Sequence, residues 1–127
     1  MARRLSLLYD GLAEVLAEFR PDALALEEVF SHRRFPVSAL WIAHARGVVC
    51  LAAEKAGVPV HSYAPASVKL CVVGNGRATK AQVQELVRVR LKLAKCPSPP
   101  DVADALALAL THLDAVGLSA LSLEGSA

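Results

Sequence analysis

The chain has 127 residues, of which 54% are hydrophobic and 20% are charged, and its formal net charge is +2. A single domain of this composition buries an apolar core, which excludes the disordered and fibrous classes of protein. No apolar run reaches the roughly 18–20 residues of a membrane helix, so we expect neither a membrane nor a signal segment. The three cysteines form no CxxC pair, which excludes a cysteine-rich zinc site and favours a reducing cytoplasmic location.

Helices and strands are predicted to alternate in the first half of the chain. Apolar residues recur at helical spacing over residues 4–20, and a short apolar run over 23–30 predicts a buried strand. A second helix is predicted over 38–56, with Gly57 in a left-handed C-terminal cap, followed by a strand over 58–63. Two strands joined through a helix form a parallel βαβ unit, so we predict an α/β fold.

The second half of the chain is predicted to be mainly helical. A short helix over residues 65–73 leads into a glycine-rich loop. Thr79 then opens a helix, with Gln82 at the spacing of a capping box. The last helix is predicted from Ser98 to about Val116, and the tail over 117–127 is expected to be frayed.

Positive charge is concentrated between residues 65 and 96. This segment holds one acid, Glu85, and seven basic residues: Lys69, Arg77, Lys80, Arg88, Arg90, Lys92 and Lys95. Such asymmetry indicates a surface that faces a large anion such as nucleic acid. Solvated helix faces without any partner explain the same charges equally well.

Two acids, Glu27 and Glu28, end the first predicted strand. Open α/β sheets place their sites at the carboxyl ends of parallel strands, which makes these two carboxylates candidates for chemistry. Termination of a strand by charged residues is an equally good explanation.

Asp101 and Asp104 lie one turn apart on the last predicted helix. With Ser98 as the N-cap and Pro99 at the first helical position, Asp101 falls in the first turn, where the helix dipole favours an acid. Asp104 lies in an otherwise apolar helix that we expect to be buried on all sides, so its charge needs a counter-cation. Oxygen ligands from Glu27, Asp101 and Asp104 suit Mg²⁺ or Mn²⁺ and not zinc.

Two loops carry basic residues that suit nucleic-acid phosphates. The loop over residues 74–80 lacks the GxxxxGK[ST] pattern of a nucleotide-binding loop, so DNA phosphates are the better use of its glycines and of Arg77. The loop after Phe30 combines Arg33 and Arg34 with aromatic residues, as nucleic-acid grooves do, although a solvated loop explains it too.

Four segments resemble, in order, the RuvC family of Holliday-junction resolvases. They are Ala25-Leu-Glu-Glu-Val-Phe30, Ala45-Arg-Gly-Val48, the stretch from Val68 to Val83 and the stretch from Asp101 to His112. The resemblance runs from about residue 5 to 113. It implies an RNase H-like fold, a homodimer paired through helix 38–56, and Mg²⁺-dependent nicking of two opposed strands of a four-way DNA junction. It also implies work in recombination and repair with a branch-migration helicase complex.

The resemblance assigns roles to individual residues. It makes Glu27, Asp101 and Asp104 the catalytic acids and metal ligands, around two Mg²⁺ or Mn²⁺ ions. It matches Lys69 and Lys80 to basic residues near the DNA, and Phe30 to an aromatic residue that lies against junction bases. Together with the basic loops, the predicted DNA-binding residues are Phe30, Arg33, Arg34, Lys69, Arg77 and Lys80.

The chain departs from the family pattern at its beginning. Family members begin with a strand carrying an Ile-Asp-Pro-Gly motif, whose aspartate is a further metal ligand, and two more strands follow. We therefore expect one RNase H-like domain over 1–127 that lacks its N-terminal strands and exposes a large apolar patch. A start codon assigned too late, or a truncated gene, is the leading explanation. The alternatives are an inactive fragment that binds DNA or dimerises, and a related nuclease that acts on other substrates.

Overall fold

The computed structural model describes residues 1–28 and 36–117. These residues form five helices and two strands in the order α1 (Ala2–Phe19), β1 (Leu24–Glu27), α2 (Pro36–Lys55), β2 (Val60–Tyr63), α3 (Pro65–Val73), α4 (Lys80–Arg90) and α5 (Pro100–Ala115). Two compact units divide the chain, Met1–Ser62 and Tyr63–Ala127. The α/β class is confirmed.

In the first unit, α1 packs against α2, which connects the two strands. Strands β1 and β2 are neighbours in a parallel two-stranded sheet, so the predicted βαβ unit is confirmed. The buried core of this unit consists of Leu16, Ala52, Ala53 and Val58. Gly57 has a φ of 73°, which confirms the predicted left-handed cap after α2.

Both helices of the first unit expose large apolar side chains. The exposed fraction is 69% for Phe19, 66% for Val37 and 62% for Leu40. The expectation of no helix that could span a membrane needs correction, because Val37–Lys55 is long and apolar enough by length and composition, with mean hydropathy 1.3. The prediction was wrong because it considered only unbroken apolar runs. A helix can be apolar enough on average to span a membrane even when single polar residues interrupt the run. Only 11% of this window is buried, so the helix presents an apolar surface.

The second unit is built from α3, α4 and α5, each of which packs on the other two. Its core is a cluster of small and branched side chains: Val68, Val72, Ala78, Val83, Val87, Ala107 and Leu110. Val83 and Val87 of α4 are buried, as the sequence pattern predicted. The prediction that the basic residues of α4 lie away from this packed side is wrong for Lys80 and Arg90, which pair with Asp104 and Asp114 of α5.

The start of α5 differs from the prediction. Pro99, and not Ser98, is the N-cap, Pro100 is the first helical residue, and no side chain caps the helix. A residue that precedes a proline is forced out of the α region, so Pro99 cannot be helical before Pro100. Asp101 consequently lies at the second helical position, still within the first turn.

The expectation that α5 is buried on all sides is also wrong for this structure. One face, formed by Ala103, Ala107, Leu110 and Thr111, is buried. Val102 is 41% exposed. Two helices, α3 and α4, pack on α5. Two neighbours cover one stripe of a helix and not its whole circumference, so apolar side chains remain on the surface.

Candidate functional site

Glu27 is the last residue of β1, and Glu28 follows it immediately. Both side chains are exposed. The predicted position at the carboxyl end of a parallel strand is therefore confirmed, although burial does not distinguish the two acids.

Asp101 and Asp104 lie on the first two turns of α5, in the second unit. Asp101 is exposed. Asp104 is not the enclosed carboxylate that the sequence predicted, because its side chain is 36% exposed and its Oδ2 lies 3.4 Å from the Nζ of Lys80. The ammonium supplies the counter-charge that an acid on an apolar helix requires.

The fold brings Lys80 to Asp104 through the start of α4. Thr79 caps this helix, since its Oγ1 accepts a hydrogen bond from the Gln82 backbone N–H at 3.1 Å. The Oε1 of Gln82 accepts in return from the Thr79 backbone N–H at 2.8 Å, so the predicted capping box is confirmed. Lys80 is the first residue of the helix, directly after this cap.

The donor atoms on α5 suit a hard divalent cation. Asp101 and Asp104 offer carboxylate oxygens alone, which Mg²⁺ and Mn²⁺ prefer. The ammonium of Lys80 is the cation that lies beside Asp104 in this structure. Within residues 1–28 and 36–117, no three His, Cys, Asp or Glu side chains gather closely enough to hold a metal ion. Two of the three predicted ligands are thus neighbours in one unit, while Glu27 belongs to the other unit.

Three of the seven basic residues between 65 and 96 form ion pairs with acidic residues of the chain. Arg88 forms an ion pair with Glu85, and its Nε donates a hydrogen bond to Oε1 at 3.1 Å. This hydrogen bonding lowers the pKa of the Glu85 carboxyl. Arg90 pairs with Asp114, and Lys80 with Asp104. In the described part of the chain, the other four form no ion pair with an acid: Lys69, Arg77, Lys92 and Lys95.

The loop between α3 and α4 presents Arg77 to solvent. Gly74 ends α3 in a left-handed conformation with a φ of 89°, and its N–H donates to the Leu70 carbonyl at 2.8 Å. Asn75 accepts a hydrogen bond from the backbone N–H of Arg77 at 2.9 Å. The Arg77 side chain is exposed, whereas Lys69 on α3 is half-buried. Three further predicted DNA-binding residues, Phe30, Arg33 and Arg34, lie outside the described residues.

Sequence patterns gave no signal for two polar contacts within the second unit. The Tyr63 hydroxyl lies 2.6 Å from Nδ1 of His112, and the Cys71 thiol donates to Oδ2 of Asp114 at 3.0 Å. These partners are 49 and 43 residues apart in the chain. Helical or strand periodicity cannot report contacts over such separations.

The model of one protein family, described as Crossover junction endodeoxyribonuclease RuvC, matches residues 1–112. A protein of that name from Rhodopirellula baltica is 49% identical over 110 residues, which is 87% of this chain and 62% of the relative. One from Ruminiclostridium cellulolyticum is 47% identical over 118 residues, which is 93% of this chain and 70% of the relative. The chain thus spans about two thirds of the length of these relatives.

Two solved structures of the Thermus thermophilus protein are also similar. One, described as the RuvC structure, has a TM-score of 0.81 and 42% identity, and covers 91% of this chain and 70% of its own. The other, described as RuvC in complex with Holliday junction substrate, has a TM-score of 0.82 and 41% identity, and covers 91% and 71%. The RNase H-like expectation for the fold is confirmed.

Proposed function

Because this chain belongs to the RuvC family of crossover junction endodeoxyribonucleases, we propose that it acts on four-way DNA junctions as a metal-dependent endonuclease. The reaction is hydrolysis of a phosphodiester bond in each of two opposed strands. The observation that carries the proposal is the acidic start of α5, where Asp101 and Asp104 lie one turn apart with the Lys80 ammonium at Asp104.

In this proposal Glu27, Asp101 and Asp104 are the catalytic carboxylates and hold Mg²⁺ or Mn²⁺, as two ions per site. Bound divalent ions supply activation of a water molecule and stabilisation of the leaving oxygen. The three carboxylates contribute the negative charge that binds the cations. Helix α5 fixes the spacing of Asp101 and Asp104.

We propose that DNA binding uses Arg77 and Lys69, which form no ion pair with an acid among the described residues, together with Lys80, which pairs with Asp104. Arg77 is exposed on the loop before α4 and can contact a phosphate without breaking any ion pair, and Lys69 and Lys80 lie on the two adjoining helices. Phe30, Arg33 and Arg34 complete the proposed surface. Phosphate contacts of this kind supply affinity, while the shape of the junction supplies selectivity.

The proposed partners follow from family membership and from the apolar surface of α2. The exposed Val37 and Leu40 favour pairing of α2 with α2 of a second copy in a homodimer. Such a dimer presents two equivalent sites to two equivalent strands. A branch-migration helicase complex, a cytoplasmic location and a single nuclease domain over 1–127 belong to the same proposal.

The deciding experiment is cleavage of a labelled synthetic four-way junction by the purified full chain in Mg²⁺. Asp104→Asn removes a proposed ligand, and Asp10→Asn makes the same chemical change at an exposed position on α1. Paired nicks at the crossover that persist in Asp10→Asn and disappear in Asp104→Asn support the proposal. Nicks that survive in both variants contradict the assignment of Asp104.

A non-catalytic fragment is the second candidate function. It is favoured by the lack of a three-residue metal group within the described residues. Junction binding in a gel-shift assay without any nicking would establish this alternative. Nicking of linear duplex or flap DNA in preference to a junction would instead indicate a nuclease for other substrates.

A further inference from the structure

We propose that the Lys80 ammonium is an internal counter-cation of Asp104, which a divalent metal ion must displace. Lys80 and the metal then compete for one carboxylate. This inference rests on the proposed function, since it takes Asp104 to be a metal ligand.

The geometry sets the ammonium and a metal ion in competition for the same carboxylate oxygen of Asp104. Nζ lies 3.4 Å from Oδ2, and Mg²⁺ bound to the same oxygen would sit at about 2.1 Å from it. Two cations on one oxygen repel each other, and at this exposed position the repulsion is moderated by solvent. Asp101, one turn earlier, forms no ion pair in the part of the chain that the structure describes, so the competition is specific to Asp104.

Lys80 can leave without disturbing the helix that carries it. The backbone on either side of it is anchored by Ala78, which is 3% exposed, and Val83, which is 6% exposed. Its own side chain is 68% exposed. Displacement therefore moves only the solvated lysine stem and leaves the α4 cap intact.

The other cations on α4 cannot take this role. Arg88 and Arg90 are bonded to Glu85 and Asp114. Once displaced, the ammonium stands at the start of α4, where it is available to a DNA phosphate. Metal binding would thus release a cation for the substrate.

The test measures Mn²⁺ binding to the full chain without DNA, by electron paramagnetic resonance of free Mn²⁺ at low ionic strength. Lys80→Met keeps the stem and removes the charge. Lys95→Met makes the same change at an exposed lysine without an ion pair among the described residues. Lys80→Arg keeps the charge, and Asp104→Asn reports whether the ion binds at Asp104.

We expect Lys80→Met to bind Mn²⁺ about two- to fivefold more tightly, which is the range that loss of an exposed ion pair gives. Lys95→Met and Lys80→Arg should match the wild type. Equal affinity in Lys80→Met and wild type, or equal tightening in both methionine variants, overturns the inference. If Asp104→Asn binds as the wild type does, or if none of the proteins binds, the metal site of the proposed function fails as well.

Discussion

Arg90 and Asp114 form a bidentate ion pair that joins α4 to the last turn of α5. Nη1 and Nη2 of the guanidinium donate to the two carboxylate oxygens at 3.0 and 2.9 Å. Both side chains are about three-quarters buried, and this hydrogen bonding raises the pKa of Arg90. The pair thus fixes the far end of the helix whose near end carries the proposed catalytic aspartates.

Replacement of Arg90 by methionine should therefore destabilise the protein. We expect a loss of about 1–2 kcal/mol in the free energy of unfolding, since a largely buried bidentate pair contributes more than an ordinary surface pair does. Urea denaturation followed by circular dichroism measures it. Arg88→Met, which breaks the more exposed pair with Glu85, should cost less. Equal losses in the two variants would contradict the role assigned to Arg90.

The thiol of Cys71 should react slowly with alkylating reagents. Burial raises its pKa, and the hydrogen bond to Asp114 and the charge of that carboxylate raise it further. At pH 8 the folded chain then holds less thiolate than an ordinary cysteine does, and the thiolate is the reactive form. Mass spectrometry after treatment with iodoacetamide gives the rate, and Asp114→Asn should increase it.

The raised pKa of Cys71 also makes the stability of the protein depend on pH in the alkaline range. The unfolded chain loses the Cys71 proton around the ordinary cysteine pKa of about 8.5. The folded protein keeps this proton to a higher pH, because its Cys71 pKa is raised. The stabilisation is complete below the ordinary pKa and disappears as the pH rises through the raised folded value. Cys71→Ala should remove this part of the alkaline loss. An identical pH dependence of unfolding in both proteins would contradict the raised pKa.

Removal of the Tyr63 hydroxyl should weaken the second unit. Tyr63→Phe deletes the 2.6 Å hydrogen bond to His112 and keeps the ring, so we expect a loss of about 0.5–1.5 kcal/mol. Thermal or urea unfolding measures the change. Tyr9→Phe is the matched control, because the described residues offer the Tyr9 hydroxyl no hydrogen-bond partner. An equal loss in the free energy of unfolding for Tyr9→Phe would show that the hydrogen bond between Tyr63 and His112 does not stabilise the protein.

The core of the second unit should be most sensitive at Val87. This side chain is fully buried, at 0% exposure, whereas Val89 on the same helix is 52% exposed. Val87→Ala should cost about 2 kcal/mol through lost burial and the cavity that remains. Val89→Ala should change the free energy of unfolding by less than about 0.5 kcal/mol. Similar values for the two variants would place Val87 outside the core.

Local chemistry made several features predictable. The capping box of Thr79 and Gln82 and the left-handed Gly57 depend on neighbours within a few residues, and both were confirmed. The first residue of α5 was predicted wrongly, although its cause is also local. Pro100 keeps Pro99 out of the helical conformation, and this restriction outweighs the preference for Ser98 as the N-cap. The burial of α5 was misjudged because the number of helices that cover it is a property of the assembled unit.

By itself, the sequence determined the family, the α/β order of elements, and the candidate acids Glu27, Asp101 and Asp104, because residue types and short spacings encode all of these. Only the tertiary structure decided which charges are already paired. It joins Lys80 to Asp104, Arg90 to Asp114 and Tyr63 to His112. Each of these contacts joins residues more than 20 positions apart in the chain. Packing of α3, α4 and α5 around one apolar core brings them together, and no periodicity along the chain records that packing.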